Sequence, residues 1–129
     1  MQLALKEDAA TRATIDTINR FDDVFNRHDV DGIMALMTED CVFEDVTPAP
    51  DGQRLEGQAA VRGAWESLFA EFHDAYFEEE ELFAAGDRCV TRYIFTWKDS
   101  DGNSGRVRGS DIFRVRDGKV SEKLSYVKE

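Results

Sequence analysis

Three observations predict an α+β fold. The first half of the chain carries three amphipathic helical segments and one strand. From Tyr76 onward the pattern becomes long, alternating strands. The stretch from Arg106 to Tyr126 then reads as two strands joined at Asp117-Gly118, a dipeptide suited to a two-residue hairpin turn. Helices first and strands last, without alternation between them, is the order of an α+β domain.

Each element has its own signal. Ile15, Ile18, Phe21, Val24 and Phe25 recur near helical spacing and predict a helix over Thr14 to Arg27. His28-Asp29 interrupts it, and Asp29 is placed to N-cap a short second helix through Ile33, Leu36 and Met37. Cys41 to Val46 is β-branched and aromatic, hence a strand, with Cys41, Phe43 and Asp45 on one face. Thr47-Pro48-Ala49-Pro50-Asp51-Gly52 is a loop. Gly57 precedes a third helix over Ala59 to Phe72, with Val61, Trp65, Leu68, Phe69 and Phe72 on one stripe. Tyr76–Ala84 and Arg88–Lys98 flank the turn Ala85-Gly86-Asp87, and a second turn over Asp99 to Asn103 leads into the final hairpin. Strands this long should twist and curl, with the helices covering the concave side and a pocket left between them.

The 129 residues fit one domain spanning 1–129, with residues 1–10 as a disordered or helical arm. The charge balance is 16 − 27 = −11, which argues against nucleic acid and anionic membrane surfaces as partners. No apolar run is long enough to span a bilayer, and the first residues lack the pattern of a signal peptide. Cys41 and Cys89 lie far apart and read as reduced strand cysteines of a cytoplasmic protein. His28 and His73 have no neighbours at ligand spacing, so no metal site is expected.

Asp111 is the first functional candidate. Alternation puts it on one face with Gly109, Phe113 and Val115, and a carboxyl in apolar company is costly unless paired or protonated. Arg92, on the expected neighbouring strand, decides which. In contact with Asp111 it would make the acid an ionised anchor or base; pointed elsewhere, it would leave Asp111 as an acid or hydrogen-bond donor. The alternation separates Arg92, Ile94 and Thr96 from Tyr93, Phe95 and Trp97, one set facing the cavity. Asp45 is either a solvated acid at a strand end or, through Phe43 and Cys41 on its face, a pocket residue. Phe21, Trp65 and Phe113 are core or the walls of a cavity for a flat apolar ligand. Glu78 to Glu81 reads as a solvated strand segment easing its repulsion on cross-strand arginines.

The order and spacing of five segments carry a resemblance: Asn26 to Ile33 (NRHDVDGI), Glu39 to Asp45 (EDCVFED), Gly57 to Arg62 (GQAAVR), Asp111 to Val115 (DIFRV) and Asp117 to Val120 (DGKV). Together they resemble the nuclear transport factor 2 superfamily, and within it the SnoaL-like cyclases and the ketosteroid isomerases. The resemblance implies a cone, that is, a curved mixed sheet wrapped on three N-terminal helices (a cystatin-like α+β barrel), which often forms homodimers through the outer sheet face. It implies an apolar small-molecule ligand and no cofactor. It places a general base at Asp45 and an oxyanion donor or pocket acid at Asp111. It puts Phe21 where the isomerases carry a second donor, a tyrosine. It turns Arg92 inward, which leaves Tyr93, Phe95 and Trp97 as an apolar dimer patch. Limonene epoxide hydrolases use an arginine–aspartate pair on one strand; Tyr93 and Ile94 follow Arg92 here, which disfavours that chemistry. The expected activity is acid–base work next to a carbonyl, of isomerase or polyketide cyclase type. The alternative is a non-catalytic, homodimeric ligand-binding module.

Overall fold

The computed structural model describes residues 8–128. Helix α1 (Ala9–Asn26) opens on Asp8, whose side chain accepts from the Thr11 N–H. It starts earlier than its apolar stripe because Thr11, Thr14 and Thr17 bury a small, polar continuation of that stripe. Most of the arm expected over residues 1–10 lies outside the described residues. Helix α2 (Val30–Ala35) has Asp29 as its N-cap, accepting from Gly32 N–H at 2.9 Å, as the sequence predicts. Strand β1 (Met37–Glu44), a short β2 (Arg54–Glu56) and helix α3 (Gln58–Glu71) follow. The sequence reading misses β2, because three residues are too few to show an alternation. Strands β3 (Tyr76–Ala85), β4 (Arg88–Lys98), β5 (Ser104–Arg116) and β6 (Lys119–Lys128) complete the chain.

The strands form one curved, unclosed mixed sheet in the order β2-β1-β6-β5-β4-β3. Only the β1–β6 pair is parallel; the others are antiparallel. The β5–β6 turn places Asp117 and Gly118 at φ 54° and 74°, the left-handed region that a two-residue hairpin turn of this kind requires. The helices cover one face, and Ile18, Phe21, Ile33, Val61, Trp65 and Phe113 form the centre of the core. The free edge at β3 is covered from α1. The Asn26 side chain donates to Phe77 C=O and accepts from Phe77 N–H, both at 2.9 Å, and so stands in for a missing strand.

Two register shifts decide what faces inward. In β5–β6 the pairing runs Arg116↔Lys119 and Val115↔Val120, then jumps to Arg114↔Glu122. Ser121 is the extra residue; its hydroxyl is held on Arg114 C=O. Beyond this bulge Lys123 and Ser125 share a face with Phe113 and Asp111. The second shift, between Glu79 and Glu81 of β3, splits the acidic run: Glu79 pairs across from Tyr93, whereas Glu81 meets Arg92.

Candidate functional site

The covered face of the sheet is hollow at two places. The larger hollow, about 580 Å³, lies between α3, the end of β1 and the far ends of β4, β5 and β6. Phe43, Trp65, Leu68, Phe95 and Trp97 line it, and Asp45 stands in its wall. The smaller, about 260 Å³, lies between α1 and β3 and is lined by Asp22, Asn26, Glu79 and Asp111 among others. Phe25, Phe77, Tyr93 and Lys123 line both and form the partition between them.

At the partition sits a buried polar cluster. Asp111 is 3% exposed and Lys123 4%. Lys123 Nζ lies 3.0 Å from Asp111 Oδ2, and the Tyr93 hydroxyl donates to Asp111 Oδ1 at 3.0 Å. Lys123 also donates to Ser125 Oγ at 3.0 Å. Its ammonium lies 5.0 Å from the centre of the Phe43 ring and 5.6–5.8 Å from those of Trp65, Phe25 and Phe77. Each charge is thus matched: the carboxylate by a cation and a hydroxyl, the ammonium by a carboxylate, a hydroxyl and π faces. Burial first, then the Asp111 charge beside it, push the Tyr93 phenol well above its ordinary value, so it stays a donor.

Two glycines make this arrangement possible. Gly109 faces Tyr93 across β4–β5, and a Cβ there would meet the Tyr93 ring at 2.7 Å. Gly105 stands in the same relation to Trp97. Without side chains at these positions, the rings lean over the neighbouring strand, Tyr93 toward Asp111 and Trp97 into the large hollow.

Asp22 on α1 faces the small hollow. Burial, then repulsion from Asp111 and Glu79, raise its carboxyl from 3.8 to about 7, against a smaller lowering by Lys123. It is poised to exchange a proton near neutral pH. The thiols of Cys41 and Cys89 are buried and raised, Cys89 to about 12, chiefly by burial, so neither is a nucleophile at neutral pH.

The sequence candidates fall into three groups. Asp111 is buried on the inner face with Gly109, Phe113 and Val115, as alternation predicts. Asp45 and Trp65 line the large hollow and Phe21 the small one. Two placements need correction. Arg92 does not turn inward: it is exposed on the outer face, 3.3 Å from Glu81, because Tyr93 at the neighbouring position takes the inward register. Tyr93, Phe95 and Trp97 are accordingly walls of the hollow, not an outer patch. Phe113 lines neither hollow; it packs edge-on against Phe21 at 5.8 Å, in the core beneath. The role expected of Arg92 is filled by Lys123, which the sequence reading misses together with Asp22 and Tyr93.

Comparison with known proteins places this geometry. The sequence pattern of the SnoaL-like domain matches residues 18–123, and the chain belongs to that family. It is similar to a nuclear transport factor 2-like protein of unknown function from Mesorhizobium loti, with 38% identity over 96% of this chain and 98% of that one, and a TM-score of 0.79. A protein assigned as a SnoaL-like polyketide cyclase from Jannaschia shares the fold at 19% identity, covering 95% of this chain and 90% of that one, with a TM-score of 0.83. So does a protein of ketosteroid isomerase-like fold from Catenulispora acidiphila, solved in complex with trimethylamine: 12% identity, 86% of this chain and 84% of that one, and a TM-score of 0.77. Comparison with curated protein sequences finds no match. Among the described residues no helix is long and apolar enough to cross a membrane.

Proposed function

We propose that this chain is a small-molecule-pocket protein that works as a cofactor-free acid–base enzyme next to a carbonyl of an apolar ligand, as an isomerase or a cyclase of polyketide type. The observation that carries the reading is the ring-lined hollow of about 580 Å³ that ends on a buried, charge-paired Asp111–Lys123–Tyr93 cluster. Holding two charges away from water costs several kcal/mol per ion before pairing, so a merely structural core would do better with apolar residues. Asp45 is the general base. It stands in the wall of the hollow, half-buried, with its Oδ1 anchored by the Val46 N–H at 2.7 Å. Asp111 is the ionised anchor of the cluster.

The test is proton exchange. 2-Acetylnaphthalene and apolar cyclic ketones are incubated with the protein in D2O, and exchange at the α-carbon is followed by NMR. Expected is exchange faster than in buffer, reduced about 10²–10⁴-fold in Asp45→Asn. Exchange at the buffer rate across the series would overturn the enzymatic reading. It would leave the second one, a non-catalytic ligand-binding module, which the missing hydroxyl at Phe21 favours. Small-molecule binding on this fold has a precedent in the Catenulispora protein's trimethylamine complex.

The same reading includes a homodimer through the outer sheet face. Phe83, Val90, Ile112 and Leu124 lie in register across β3 to β6 and form an apolar row there. Arg92–Glu81 and Arg88–Glu122 pairs flank the row. This row replaces the patch expected from the sequence. The buried free thiols fit the cytoplasm as the compartment. A sedimentation mass of one chain at micromolar concentration would overturn the dimer.

A further inference from the structure

The resemblance would give a ligand's oxygen two donors, at positions 21 and 111. Neither serves here. Phe21 has no hydroxyl, and both oxygens of Asp111 are engaged, Oδ1 by Tyr93 and Oδ2 by Lys123. Tyr93 has only one proton, which goes to Asp111. A count of the remaining donors points elsewhere. An ammonium carries three protons, and those of Lys123 on Asp111 and Ser125 account for two. The third is left among the rings that wall the large hollow. Ser125 accepts from Lys123, so its own proton is unspent, and it also lines the hollow. The indole N–H of Trp65, in the same wall, is buried without an acceptor. The wall therefore holds donors whose remaining protons no hydrogen bond among the described residues takes up.

We infer that Lys123, assisted by Ser125, is the group that receives the ligand's carbonyl oxygen, and that the ligand class is an apolar, enolisable ketone entering the large hollow oxygen first. The inference rests on the proposed function above and names its oxyanion donor. When Asp45 removes an α-proton, the C–H electron pair moves into the C–C bond and the carbonyl pair onto oxygen. The negative charge then forms against a fixed, buried cation, where such a contact is strong. Asp111 and Tyr93 hold the ammonium at that point. With a simple ketone the same carboxyl returns the proton to the α-carbon, which is exchange. With a β,γ-unsaturated ketone the enolate is conjugated, and return of the proton at the γ-carbon shifts the double bond and completes an isomerisation with atoms balanced.

The experiment reads the contact itself rather than turnover. The C=O stretch of carbonyl-¹³C-labelled 2-acetylnaphthalene is recorded by difference infrared spectroscopy on the bound protein. Trp65 and Trp97, the chain's two tryptophans, both line the hollow, so quenching of their fluorescence reports binding. Expected is a C=O stretch below its frequency in water. It should return to the apolar-solvent value in Lys123→Met, and in the charge-neutral pair Lys123→Met with Asp111→Asn should the single variant not fold. A ketone that binds but keeps its lowered stretch in the neutral pair overturns the inference and leaves the pocket reading intact. A lowered stretch that depends on Lys123, without α-proton exchange, supports the inference and overturns the enzymatic reading. Failure of the ketone to bind the native protein overturns both.

Discussion

The two hollows share a partition and differ in everything else. The large one is walled by rings and offers donors: Lys123, Ser125 and the Trp65 N–H. The small one is walled by acids: Asp22, Glu79 and the far side of Asp111. One lysine serves both, neutralising carboxylates on one side and presenting a cation on the other. Asp45 and Glu71 also line the large hollow, but Asp22, Glu79 and Asp111 stand on the other side of the cation, which is how a chain with a net charge of −11 keeps a cation facing the rings.

Removing the shared cation should have the largest effect. Lys123→Met leaves Asp111 buried with only the Tyr93 hydroxyl, and orphaning one member of a buried pair costs about 3–5 kcal/mol. Adding Asp111→Asn removes the stranded charge and should recover most of that loss. Urea denaturation of native protein, single and double variants measures it. Equal stability of the single and double variants would mean the ion pair is not what the partition depends on.

Gly109→Ala attacks the partition from its other side. Its methyl would overlap the Tyr93 ring, which sits where the Cβ must go, and displace the hydroxyl from Asp111. Overpacking of this kind costs about 1–3 kcal/mol. The near-ultraviolet circular dichroism of Tyr93 should change with it; an unchanged spectrum and midpoint would show that the ring has room to move.

The small hollow should be visible as a pH dependence. Unfolded Asp22 loses its proton near 3.8, but the folded carboxyl holds it to about 7. Between those values the folded state binds more protons, so stability falls as pH rises through the window and is level above it. The full width of that window corresponds to a ceiling of ~4 kcal/mol, and solvent access at the mouth reduces that to about 1–2 kcal/mol. Asp22→Asn should remove the fall and be more stable than the native chain at pH 8. The same slope in both proteins would place the acidic group elsewhere.

Parts of both hollows can be read without coordinates. Alternation and helical spacing suffice for α3, for β4 from Arg88 to Lys98, and for the inner face that carries Asp111. The hairpin turn is legible because only residues tolerant of positive φ sit at 117 and 118. Lys123 is not legible, for a specific reason. Carrying the turn register straight along β6 sets Leu124 opposite Asp111 and sends Lys123 out to solvent. The extra residue at Ser121 moves the pairing by one, so that Ser125 faces Asp111 and Lys123 comes inside. A bulge of one serine leaves no mark in a hydrophobic pattern. Asp22 is hidden differently. It lies one position past Phe21 on an amphipathic helix, where an acid is ordinary, and only the packing of β3 beside α1 makes it half-buried.

Arg92 supplies the smallest effect and the sharpest control. It is the residue that the family resemblance would send into the site, and the structure sets it outside, more than half exposed and 3.3 Å from an equally exposed Glu81. Exposed pairs of this kind contribute about 0–1 kcal/mol, and salt screens them further. Arg92→Ala should therefore shift the urea midpoint only slightly, leave ketone binding and its C=O frequency unchanged, and leave α-proton exchange at the native rate. Its one selective effect belongs to the outer face: the charged flank of the apolar row is lost, so the affinity of the proposed dimer should respond while the hollow does not. A loss of exchange in Arg92→Ala without a change in mass would put the arginine back in the site and undo the division between an outer charged face and an inner one organised on Lys123.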